Sequence, residues 1–128
     1  MDLYFYEIAW WKRIVIYLED EILQMNRRLS RMIASSVSSA DWITEFESYQ
    51  QKFISKNELL RIFIQDCQKM EEKILSFDYS NQNEMNHLEG LMGKLSKEIS
   101  HFENLFIGLR NDFLLFNKSF AEKACEIL

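Results

Sequence analysis

The stretch LYFYEIAWWKRIVIYLEDEILQMNRRLSRMIA, residues 3–34, decides the fold class. Within it Tyr4, Ile8, Trp11, Val15, Leu18, Ile22, Met25, Leu29 and Met32 recur at spacings that alternate four and three without a miss. This is the 3.5-residue repeat of a helix packed lengthwise against neighbours, not the two-residue alternation of a strand. After Leu18 the flanks of the seam turn polar; before it they do not. Leu3, Tyr6, Trp10, Ile14 and Tyr17 make a second apolar stripe beside the first, and Phe5 and Ile16 add to the surplus. Only Glu7, Lys12 and Arg13 carry charge between Leu3 and Leu18.

Two further seams follow. SSVSSAD, residues 35–41, breaks the first helix, because serines compete for backbone hydrogen bonds. Ser38 with Asp41, or Ser39 alone, has the chemistry to cap the next helix. The second seam is Trp42, Phe46, Tyr49, Phe53, Lys56, Leu60, Phe63, Cys67, Met70, Ile74 and Phe77, which predicts a helix over about 40–77. Lys56 is its polar member; it either fixes register or lies at the seam edge with its ammonium reaching water. DYSNQN, residues 78–83, is the second break, with Asn81 and Glu84 at capping-box spacing. The third seam runs through Met85, Leu88, Met92, Leu95, Ile99, Phe102, Phe106, Leu109, Phe113, Phe116 and Phe120 towards Ile127, predicting a helix over about 82–126. Gly90 and Gly93 mark either weak first turns or a close approach of another helix. Past Phe106 an extra stripe of Ile107, Leu114 and Ala121 appears, with Leu115 on the other side.

Short connections make sequential helices antiparallel. The expected fold is therefore all-α, an elongated antiparallel three-helix bundle forming one domain over residues 1–128. Composition agrees: the chain has no proline and three glycines, hence few turns and long helices. The third helix is the longest, and an overhang carrying Phe116, Phe120 and Ile127 would need cover.

Charge narrows the partners. The net charge is −5, distributed as zero over residues 1–40, −3 over 41–80 and −2 over 81–128. No segment is basic enough to drive binding to a phosphate backbone, so nucleic acid is not an expected partner. Arg27, Arg28 and Arg31 read as cations complementing a helix C-terminus. Two cysteines make no disulfide framework, the acidic start MDLYFYE lacks the charge of a secretory signal, and residues 3–18 are too short and too charged to span a bilayer. These features predict a cytoplasmic chain with reduced thiols.

Catalytic machinery is not evident, and no enzyme or cofactor is expected. There is no nucleophile-elbow serine and no glycine-rich phosphate loop. Cys67 falls on the core seam, where thiols behave as small hydrophobes. Glu84–His87 and Glu98–His101 both read Glu-x-x-His, as in di-iron bundles. Here both motifs lie on one helix, fourteen residues apart and beside its seam, so a metal-binding bundle is only the third reading.

The stripe Leu3, Tyr6, Trp10, Ile14 and Tyr17 is the candidate site. Tyr, Trp and Arg favour interface centres, which points to a non-enzymatic interaction or scaffolding module, self-associating as a dimer through the first helix. The alternative is a peripheral membrane anchor, with Trp and Tyr at the lipid interface and Lys12 and Arg13 at anionic headgroups. A wider core at this end of the bundle would also account for the stripe. YLEDEILQMNRRLSRMI (17–33), FESYQQKFISKNELL (46–60) and HFENLFIGLRNDFLLF (101–116) together resemble a set of uncharacterised small coiled-coil proteins of bacteria. That resemblance implies a similar order of helices and a bacterial cytoplasmic origin, and brings no activity, cofactor or site residue.

Overall fold

Three helices form where the three seams run: α1 (Asp2–Ala34), α2 (Ser39–Leu75) and α3 (Gln82–Ile127). The computed structural model describes residues 2–35 and 39–127, and side chains of 3–35 and 42–123. The expected cap at Ser38, Ser39 or Asp41 and the side chains of Cys125 and Ile127 lie outside these. At 1.5 Å per residue the helices are roughly 50, 55 and 70 Å long. Early α1 meets late α2 through Lys12 and Glu71, and early α2 meets late α3 through Trp42 and Phe120. Each sequential pair is thus antiparallel. Tyr4 of α1 lies near Glu89 of α3 and Tyr17 lies near Phe106, so the two helices advance together and are parallel. The result is the expected all-α three-helix bundle.

The core follows the seams closely. Every buried hydrophobic side chain among those described is a seam residue, from Ile8 to Met32 on α1, Phe46 to Ile74 on α2 and Leu88 to Phe120 on α3. Tyr4, Trp42, Tyr49, Phe102 and Phe116 are half-buried seam residues at its margin. Lys56 is also half-buried, beside Leu18, Ile22, Leu60, Phe102 and Phe106, so its methylene stem covers apolar neighbours.

α3 does not carry bare aromatics past its partners. Phe116 and Phe120 pack edge-on against Trp42, at 5.7 and 5.2 Å between ring centroids, and against Phe46, at 6.0 and 5.7 Å. The start of α2 brings two large rings to that level, and Phe120 is left 8% exposed. The expected uncovered overhang is therefore absent through Phe120. The glycines also differ from one of their two readings. A Cβ at Gly90, Gly93 or Gly108 would meet no atom within 4 Å, so none marks a close approach within this chain.

α2 ends at Leu75, two residues before the last seam aromatic. The Ser76 hydroxyl donates to the Lys73 carbonyl, and Phe77 packs edge-on against Tyr79 with ring centroids 4.9 Å apart. Asp78 accepts hydrogen bonds from the Ser80 hydroxyl and amide at 2.6 and 3.0 Å, and these hold its carboxyl below the usual range. Asn81 then caps α3, its side-chain oxygen accepting from the amides of Asn83 and Glu84 at 3.0 and 3.2 Å. The Glu84 carboxylate reaches the Asp78 amide at 3.2 Å instead of closing the box on Asn81. The capping signal was half right: the turn at Asp78 takes the reciprocal bond.

Candidate functional site

A helix in a three-helix bundle has two flanks facing neighbours and one face left outside. On α1, Lys12 forms an ion pair with Glu71, which fixes that flank against α2. Both side chains are about a third exposed, so the pair orients the helix and adds about 1 kcal/mol or less. The opposite flank faces α3: Tyr17 lies edge-on to Phe106 at 6.5 Å, and the Tyr4 hydroxyl is pushed up by burial and by the carboxylates of Glu89 and Glu7.

The candidate stripe emerges beyond the α3 flank. Leu3 is 67% exposed, Tyr6 74%, Trp10 60% and Tyr17 53%. Ile14 is half-buried and packs against the core, because it sits at the edge nearest α3. The packing within the chain thus takes one of the five residues and leaves four large side chains in solvent. Phe5, on the other side of the helix, is also half-buried, while Ile16 stays 65% exposed.

α3 prolongs this surface. Glu89 faces Tyr4, and Ile107 lies eighteen residues further, five full turns and so on the same side. Ile107 and Leu114 are 53% and 41% exposed. Tyr17 packs edge-on against Phe106, so the α1 stripe passes onto Ile107 and then Leu114. The extra α3 stripe was legible in sequence. Its continuity with α1 depends on which side of α3 turns towards α1, and single-helix periodicity does not specify that.

The remaining chemistry-bearing groups do not converge. His87 and His101 are exposed on α3 fourteen residues, roughly 21 Å, apart, and Glu84 is engaged with the loop amide of Asp78. Among the described residues no three His, Cys, Asp or Glu side chains gather as a metal would need. Between Leu18, Ile22, Leu60 and Phe106 lies an apolar space of about 10 Å³, enough for roughly one water and no larger ligand.

Cys67 is fully buried, and burial pushes its thiol up to about 12, outweighing the lowering by the Lys12 ammonium. It is held as a neutral thiol in the core. In a Cys125→Ser chain, a thiol reagent at pH 8 is expected to leave Cys67 unmodified until denaturant is added. The linkage has a sign. The folded chain holds this proton more tightly than the unfolded chain, so stability is intact below pH 9. It falls as pH rises from 9 towards 12, by about 1.4 kcal/mol per unit at most. That alkaline slope should be shallower in Cys67→Ala, as read by urea unfolding.

Among the described residues no helix is long and apolar enough to cross a membrane. Comparison of the chain with protein-family profiles, curated proteins and solved structures gives no match.

Proposed function

We propose that the protein is a non-enzymatic interaction module that self-associates through the outer face of the N-terminal half of α1. One observation carries this reading: Leu3, Tyr6, Trp10 and Tyr17 are each more than half exposed and lie on one stripe, next to a core that has already taken its own seam. Exposed apolar residues scattered singly need no explanation; a contiguous row of three aromatics and a leucine does. Tyr and Trp suit the role, since each buries a large area and loses few rotamers on contact.

A cytoplasmic setting suits this reading, with Cys67 stored as an inert thiol. The resemblance to small bacterial coiled-coil proteins carries no activity with it.

Light-scattering mass at tens of micromolar should give twice the 15.4 kDa chain. Trp10→Glu or Tyr17→Glu should return it to the single-chain value with unchanged helicity, because both side chains lie outside the core. A wild-type chain that stays monomeric would sink the proposal. Sedimentation with anionic vesicles that is lost in Trp10→Glu would transfer the stripe to the membrane-surface alternative.

A further inference from the structure

The stripe also carries an orientation. At 100° per residue Leu3, Tyr6, Trp10, Ile14 and Tyr17 fall within about 80° of arc. Their spacings are three, four, four and three, a palindrome centred on Trp10. The line of the stripe does not stop at Tyr17. In the seven-residue repeat of the bundle it continues through Gln24 and Arg31, seven and fourteen residues past Tyr17, whereas Glu21 and Arg28 share the position of the half-buried Ile14.

Resting on the self-association just proposed, we infer that the second copy lies antiparallel, related by a two-fold axis that passes beside Trp10. In a parallel pair each residue of that row opposes its own equivalent, so Arg31 would oppose Arg31, and like charges held face to face oppose association. In the antiparallel pair that charge does not meet its own equivalent. The apolar residues then match by position: Leu3 meets Tyr17 of the second copy, Trp10 meets its own equivalent, and Tyr6 lies across from Ile14. Arg13, on the flank of the stripe, falls beside the Tyr6 ring of the second copy, a favourable place for a guanidinium. The arrangement is closed, since the same patch serves both chains, and it ends at a dimer instead of a filament.

The area suits a second copy. The exposed parts of Tyr6, Trp10 and Tyr17 offer on the order of 100–150 Å² each. With Leu3 and the adjoining Ile107, two copies bury on the order of 1,000 Å², the size at which specific association begins.

The two-fold places Trp10 close to one end of each rod, so the rods overlap only over their N-terminal parts. The dimer should be roughly 90 Å long against roughly 70 Å for a single chain or a parallel pair. Two measurements test the inference once the mass has shown a dimer. Small-angle scattering on the unmodified protein should give the longer dimension. In a Cys125→Ser background, Leu3→Cys and Tyr17→Cys chains should be joined by a short thiol–thiol cross-linker when mixed, and not when either is alone. Self-cross-linking of Tyr17→Cys, absence of the mixed product in a chain that is dimeric by mass, or a length near 70 Å overturns the orientation and leaves self-association standing. A monomeric mass removes both.

Discussion

Phe113→Ala should lower the unfolding free energy by about 3–5 kcal/mol. Phe113 is fully buried in the middle of an aromatic cluster, with ring centroids 5.3 Å from Tyr49, 5.4 Å from Phe53 and 6.4 Å from Phe116. Removing its ring forfeits the transfer free energy of the side chain and leaves a hole lined by three other rings. Those rings are fixed from elsewhere and collapse poorly. The Tyr49 hydroxyl donates to the Asp112 carbonyl at 3.1 Å, and Phe116 is held by Trp42 and Phe46. The cost therefore belongs near the upper end of the range. Phe113→Leu, which keeps most of the volume, should cost less than about 1.5 kcal/mol. Leu115→Ala is the control, two residues away and 66% exposed, with an expected change within about 0.5 kcal/mol. Urea unfolding monitored by helicity reads all three. A Leu115 cost equal to that of Phe113 would mean that α3 is rotated by half a turn from the arrangement described here.

That comparison separates what the sequence specified from what it did not. The faces of the helices were legible to the residue, because a lengthwise helix contact imposes one period and the large apolar side chains obey it from Ile8 to Phe120. The axial register was not legible. Periodicity says which side of α3 is buried but not how far it slides along α2. The slide is set by the fit of Trp42 and Phe46 to Phe116 and Phe120, a tertiary match between rings 70 to 78 residues apart. The same holds at the loop, where the Asn81 cap could be read but the partner of Glu84 depended on the path of Asp78. Of the candidate stripe, the residues were visible as a surplus. The half-burial of Ile14 and the continuation onto Ile107 follow from the closeness of α3, which emerges only when the helices are packed.

Gly90→Ala, Gly93→Ala and Gly108→Ala should act in the opposite direction. All three glycines lie inside α3, none has a positive φ, and an added methyl meets no atom within 4 Å. An alanine at each site should stabilise by up to about 1 kcal/mol, through the lower backbone entropy of the unfolded chain. The triple variant should gain up to about 2–3 kcal/mol, with Gly108, fifteen residues beyond Gly93, adding independently of the neighbouring pair Gly90 and Gly93. The urea midpoint should rise with an unchanged slope, the sign of altered stability without altered compactness. Gly93 has an added meaning. It lies fourteen residues before Ile107 and twenty-one before Leu114, on the side of α3 that turns towards the α1 stripe. The methyl has free space in the isolated chain, so any penalty at this site must come from a second chain. Gly93→Ala should therefore raise the stability of a Trp10→Glu monomer by the full amount. A smaller gain in the unmodified protein, together with a lower association constant, would place the second copy against this part of α3 as well as against α1.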